Sequence, residues 1–199
     1  MEIKFGRKEI VLIRKINDLD LFTLSFVKFL DLINIKYVII SGYVAILFGR
    51  SRNSEDIDVF IEEIDYKTFL KFWEKVYSTF YCLATDNPKT AYFEYLSENT
   101  ALRFAEKGQF IPNMEIKFVK NELDNWSLTN RLKAKLKDDI LYISPLELQI
   151  AFKLFLGTEK DIEDAKHLFN MLKENLNMNV LMAFNEKLKT VDSFNRYLK

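Results

Sequence analysis

Residues 41 to 60 read SGYVAILFGRSRNSEDIDVF, and the two acids near the end of this stretch decide how the rest of the chain is read. Asp56 and Asp58 stand at the head of IDVFI (57–61), whose β-branched, apolar composition predicts a strand buried on both faces. Side chains alternate along a strand, so both carboxylates leave one face of the sheet while Ile57 and Val59 enter the other. Without a cation the two acids would repel and one would tend to take up a proton; a divalent cation removes that cost. Hard oxygen ligands suit magnesium, which keeps waters and completes its shell with substrate phosphates.

Upstream, YVII (37–40) predicts a short buried strand that ends at Gly42, and residues 43 to 49 predict a short helix closed by Gly49. Ser41 and Gly42 therefore lie where a strand meets a helix. Backbone N–H groups at such a junction can approach a phosphate closely when no side chain intervenes. Arg50 and Arg52 lie between this turn and the acids, and two readings stand for them: a solvated loop or phosphate contacts. An acid pair alone is common on protein surfaces. An acid pair preceded by such a turn, two arginines and buried strands on both sides is far more specific.

Working outward, residues 17 to 34 carry Leu21, Leu24, Phe26, Val27, Leu30 and Ile33 at helical spacing. Residues 66 to 83 do the same with Phe69, Phe72, Trp73, Val76 and Phe80, an aromatic stripe read as core. The pattern then switches to alternation in AYFEYLS (91–97), ALRFAEK (101–107) and NMEIKFVK (113–120), which predicts further strands and a mixed sheet. LYIS (141–144) leads to Pro145, which fits the first turn of a helix running to Gly157. Two more helices are expected from Thr158 and from about Asn179. The expected class is α/β (α+β), a mixed sheet flanked by helices. The chain divides into an α/β core over 1–143 and a helical subdomain over 144–199 packed on it.

Basic and acidic residues balance at 29 each, so net charge gives no argument for a nucleic-acid partner. One cysteine, Cys82, cannot form an internal disulfide, and with the lone His167 it falls short of a zinc site. The apolar runs are far shorter than a membrane span, and MEIKFGRKEI is too charged for a secretory signal, so a cytoplasmic protein without membrane contact is expected.

The 41–60 stretch resembles the nucleotidyltransferase superfamily of DNA polymerase beta type, in which a Gly-Gly or Gly-Ser turn precedes an Asp-apolar-Asp strand. It is especially similar to the branch of AbiEii and MenA type toxins, where an R-x-R-x-[ST]-x-D-x-D run is matched here by Arg50, Arg52, Ser54, Asp56 and Asp58. Ser41 departs from the pattern, since the family usually has Gly there. The resemblance implies a nucleotidyltransferase fold and transfer of a nucleoside monophosphate from a triphosphate to a hydroxyl, with two magnesium ions (manganese as a substitute) and release of pyrophosphate. Asp56 and Asp58 would hold metal. Ser41, Gly42, Arg50, Arg52 and Ser54 would bind nucleotide.

The resemblance also implies a third carboxylate on a later strand, as metal ligand or base, for which Glu115 matches best; it shares a strand face with Lys117. A lysine and an acid from the carboxyl-terminal helices, Lys153 and Asp164, would face the nucleotide. From the residues alone, Asp161 reads as part of a helix cap following Thr158, and Asp164 as a surface ion pair with Lys160. Lys153 equally fits a basic residue near a helix carboxyl end, and His167 reads as structural or solvent-facing. The acceptor could be an RNA 3′ end, a protein hydroxyl or a small molecule, and the likeness makes transfer RNA or another RNA the leading one; a cognate antitoxin-like partner follows from the same likeness. The rival reading is a catalytically weakened nucleotide-binding or partner-binding protein of the same fold.

Overall fold

The computed structural model describes residues 1–6 and 8–199. Among the described residues nine strands form one mixed sheet in the order β1-β2-β8-β9-β3-β4-β7-β6-β5. The central strands are β3 (Tyr37–Ile39), β4 (Asp56–Ile61) and β7 (Asn113–Phe118), with β9 (Asp139–Ile143) beyond β3 and β6 (Leu102–Glu106) beyond β7. β4 runs antiparallel to β3 and parallel to β7, so the mixed sheet expected from the alternation is present.

Helix α1 (Asp18–Leu32) starts at a capping box, in which Asn17 and Asp20 satisfy each other's backbone N–H groups. It buries Phe22, Phe26 and Leu30 against the sheet and α3 (Tyr66–Val76); of the expected apolar stripe, Leu21 is the exception and faces solvent. Phe26 packs edge-on to Phe72 and Phe80, with ring centroids 6.0 and 5.1 Å apart. Such pairs add about 0.5–1.5 kcal/mol beyond their buried area. The aromatic stripe is core, as its spacing predicts.

Two expected elements are corrected. The helix predicted over 66–83 ends at Val76, and after a turn through Ser78 and Thr79 the chain becomes strand β5 (Phe80–Cys82), paired with β6. Phe80 is buried either way, so a three-to-four spacing could not tell the last residue of a helix from the first of a strand. AYFEYLS is not a strand: Ala91–Leu96 is a wide helical turn that continues α4 (Pro88–Thr90). Ser97 N–H donates to Tyr92 O, five residues back, at 2.9 Å. The Asn87 side chain accepts from the N–H groups of Lys89 and Thr90 and Pro88 pre-sets the first turn, a local start signal that outweighs the alternation.

Strands β1 (Glu2–Phe5), β2 (Glu9–Ile13) and β8 (Leu132–Leu136), and helix α5 (Glu122–Thr129), were not foreseen. Strand β2 lies parallel to β8, which joins the amino terminus to the sheet through β9. The carboxyl-terminal helices are α6 (Leu146–Leu156), α7 (Glu159–Leu172), α8 (Met178–Lys187) and α9 (Val191–Tyr197). The first three follow the predicted signals: α6 begins after Pro145 and stops at Gly157 with φ 68°, Thr158 caps α7, and α8 starts just before Asn179; α9 was not foreseen. Among the described residues no helix is long and apolar enough to cross a membrane.

Candidate active site

Strand β3 delivers the chain to Ser41 beside the start of β4, where Ile40 N–H donates to Asp58 O at 3.0 Å. Asp56 and Asp58 are half-buried on one face, and Ile57 and Val59 are buried on the other. In the parallel pairing with β7, Asp58 stands opposite Glu115, and Glu115 in turn stands opposite Arg103 of β6. One row across three strands thus reads Asp58, Glu115, Arg103. Helices α5 and α6 face it, leaving a cavity of about 350 Å³ lined by Ser41, Asp58, Glu115, Lys117, Gln149 and Phe152 among others.

The acids in this cavity differ electrically. Burial, and then the negative charges of Glu115 and Asp56, push the Asp58 carboxyl above its ordinary value, with Lys117 and the Ser41 hydroxyl acting the other way. Burial also acts to raise Glu115, but hydrogen bonds from Lys117 and Arg103 outweigh it and hold this carboxyl below the ordinary glutamate range. Arg103 Nε donates to Glu115 Oε2 at 2.8 Å, and Lys117 Nζ contacts Oε1. Asp56 and Asp58, by contrast, form no ion pair among the described residues.

Among the described residues no three His, Cys, Asp or Glu side chains are gathered closely enough to hold a metal ion. Glu115 lies beside the pair but has both oxygens committed to cations. The donor chemistry of Asp56 and Asp58 fits a hard divalent ion: two carboxylates on one face, unpaired with any described lysine or arginine, one with a raised pKa.

Ser41 has φ 63° and ψ −135°, a region favourable only to glycine. For a residue with a side chain this costs about 1–3 kcal/mol, a physical reason for glycine at this turn. A side chain on Gly42 would run into the Arg52 guanidinium, with Ser54 Oγ next nearest at 3.5 Å from that position. Ser54 Oγ itself donates to Asp56 O at 2.9 Å. The turn is thus roofed by Arg52, and its Ser41 carbonyl accepts from Gln149 Nε2 of α6 at 3.0 Å.

Arg50, Arg52, Lys153, Asp161 and Asp164 come together as one cluster, with Lys153 and Asp164 buried at its centre and the other three half-buried. Lys153 Nζ lies 2.7 Å from Asp161 Oδ1 and 2.9 Å from Asp164 Oδ2, while Arg50 Nε and Arg52 Nε each stand 3.6 Å from Asp164 Oδ1. Lys153 is 2% exposed and Asp164 is 0% exposed. Asp164 therefore does not form the surface pair with Lys160 that helical spacing allowed, and Lys153 is no solvated helix-end cation. The arginine contacts to Asp164 are ionic without hydrogen bonds, and Arg50 Nε and Arg52 Nε and Nη1 are buried donors without partners. Asp161 joins the cap by accepting the Thr158 hydroxyl at 2.6 Å as well as pairing with Lys153. Burial acts to raise Asp161, and the hydrogen bonds from Lys153 and Thr158 outweigh it, so its pKa is lowered. His167 Nε2 meets the Phe48 carbonyl at 2.9 Å, a structural contact.

Arg103 and Gln149 escaped the sequence reading. A signal for Gln149 existed: it stands four residues before Lys153 on the same face of a largely apolar helix, LELQIAFKLFL, where buried polar groups need partners.

The mixed sheet flanked by helices is a fold shared with solved structures of nucleotidyltransferase-like proteins. An antigenic nucleotidyltransferase-like protein from Paracoccidioides brasiliensis matches 92% of this chain and 94% of its own, with TM-score 0.54 and 16% identity. The antibiotic-resistance factor ANT(2'')-Ia matches 90% of this chain and 99% of its own, with TM-score 0.55 and 13% identity. At such identities the likeness is one of fold. Neither a protein-family model nor a curated protein sequence matches the chain.

Proposed function

We propose that this chain is a metal-dependent nucleotidyltransferase that moves a nucleoside monophosphate from a triphosphate to a hydroxyl. The observation that carries the reading is the uncompensated Asp56–Asp58 pair beside the Ser41–Gly42 turn, in a fold shared with nucleotidyltransferase-like structures. Magnesium, as two ions, or manganese would be held by the pair and would supply neutralisation of phosphate charge and activation of the attacking hydroxyl. The residues of the chain do the rest. The turn receives phosphate through its backbone N–H groups, and Arg50, Arg52 and Lys153 place positive charge along it.

In the transfer an acceptor oxygen bonds to the α-phosphorus, the bond from that phosphorus to the β-bridging oxygen breaks, and pyrophosphate leaves with Arg52 offsetting its charge and Lys153 acting from behind it through the ion cluster. The acceptor's proton passes to a carboxylate of the cavity. Glu115, kept ionised by Arg103 and Lys117, is the third acid in this reading, and its lowered pKa makes it a weak base. The boundary at 143/144 assigns the acid pair to the core and Lys153 and Asp164 to the helical segment. An RNA 3′ end is the leading acceptor and a protein hydroxyl the next, in a reducing cytoplasm that suits the free, buried Cys82. An antitoxin-like partner belongs to the same proposal.

A second reading, nucleotide binding without turnover, is favoured by the neutralisation of Glu115. One experiment separates the two: incubation with each α-labelled triphosphate, magnesium or manganese, and total cellular RNA or protein, with Asp58→Ala as control. Transfer of label that Asp58→Ala abolishes supports the enzyme. Transfer that survives in the variant overturns it, and metal-dependent binding without transfer favours the second reading.

A further inference from the structure

Gln149 stands on α6, 108 residues from the turn it touches, and is 4% exposed. Among the described residues its amide makes the only side-chain hydrogen bond to the backbone of Ser41 or Gly42. The peptide it holds joins Ser41, whose dihedrals suit glycine, to Gly42, which begins α2 (Gly42–Leu47) and has no side-chain cap. In a trans peptide the C=O and N–H point in opposite directions. Fixing the Ser41 carbonyl toward α6 therefore fixes the direction of the Gly42 N–H. Rotation of this peptide would turn the carbonyl dipole toward the space the N–H commands, and a carbonyl oxygen repels phosphate where an N–H attracts it.

We infer that Gln149 is a positioning residue that sets the orientation of the 41–42 peptide and thereby makes the turn able to receive an anion. The inference rests on the nucleotidyltransferase reading for the identity of the anion, but the peptide's orientation does not. Two arrangements of the turn compete, because a serine side chain disfavours the observed backbone. The Gln149 donor selects one of them, and a buried carbonyl left without this partner would favour the other. Gln149 also lies one turn before Lys153 on α6, so a single helix anchors both the turn and the cation cluster.

The test compares the intact chain with Gln149→Met, which keeps volume and loses the donor, and Gln149→Glu, which keeps shape and polarity and places an acceptor against the carbonyl. Two quantities are read: the Kd of each of the four magnesium ribonucleoside triphosphates, and amide deuterium exchange across residues 41 to 48. Both variants are expected to weaken triphosphate binding about tenfold and to speed exchange at the turn, with exchange in β4 and α3 unchanged; where turnover is measurable, KM rises more than kcat falls. Wild-type binding and wild-type exchange in both variants overturn the inference. Weaker binding with unchanged exchange overturns it too, since Gln149 would then touch the ligand directly. If the intact chain binds no triphosphate while the variants still speed exchange at the turn, the positioning role stands and the nucleotidyltransferase reading falls.

Discussion

The chain holds two acid pairs that its fold treats in opposite ways. Asp56 and Asp58, two apart on β4, share a face and have no cation among the described residues; Asp161 and Asp164, three apart on α7, are met by Lys153, Arg50 and Arg52. Both spacings place carboxylates side by side. Only the surroundings decide whether such a pair stays without a basic partner from the chain or becomes part of an ion cluster. The first pair costs the folded protein repulsion and keeps the capacity to bind; the second spends that capacity on holding α6, α7 and the 50–52 loop together.

The sharpest way to break the contrast is to remove one acid from each pair. Asp164→Ala leaves the buried Lys153 and two half-buried arginines with one acid among them and should lower unfolding free energy by about 3–5 kcal/mol in chemical denaturation. Asp58→Asn should leave stability unchanged or slightly higher by the same measurement. Its effect falls on chemistry, where label transfer should drop by about 10²–10³-fold. Glu115→Gln should lose less than Asp58→Asn, because Glu115 is a weak base in its present surroundings.

Acid titration separates the pairs without removing either. Asp161 has a lowered folded pKa, so the stability it contributes is present above the unfolded value of 3.8 and is lost as pH falls through the folded value. Asp58 has a raised folded pKa, so its contribution runs the other way: favourable below 3.8 and lost as pH rises through the higher folded value. Thermal unfolding across this range should therefore show Asp58→Asn gaining on wild type as pH rises from below 4, and Asp161→Asn losing ground to it over the same rise. The smallest expected effect is at the turn between the pairs: Ser41→Gly should raise stability by about 1 kcal/mol in denaturant unfolding, by removing the cost of a side chain at φ 63°.

The sequence was legible where local chemistry decides. The acid pair, the strand before it, the stop at Gly157 and the cap at Thr158 all follow from a few adjacent residues. It was opaque where distant elements decide. Nothing local says that Arg50 and Arg52 turn toward Asp164, more than a hundred residues on, or that Glu115 will be met by Arg103 from β6. Helical spacing carried Phe80 into the wrong element because burial is common to both assignments, and the alternation in AYFEYLS lost to the cap at Asn87. β1, β2 and β8 are short strands at or near one margin of the sheet, with too few alternations to stand out from a polar segment.

The row Asp58, Glu115, Arg103 also acts on assembly of the sheet. Shifting β7 by one residue against its neighbours would set Met114 or Ile116 between Asp58 and Arg103 and drive Glu115 and Lys117 into the aromatic side of the sheet. Such a slip strips Lys117 of water and separates the buried Glu115 from its partners, so misaligned sheets are penalised by several kcal/mol before any ligand is met. The same charges that furnish the cavity thereby act as an alignment gauge, rejecting wrongly zipped strands while the protein folds.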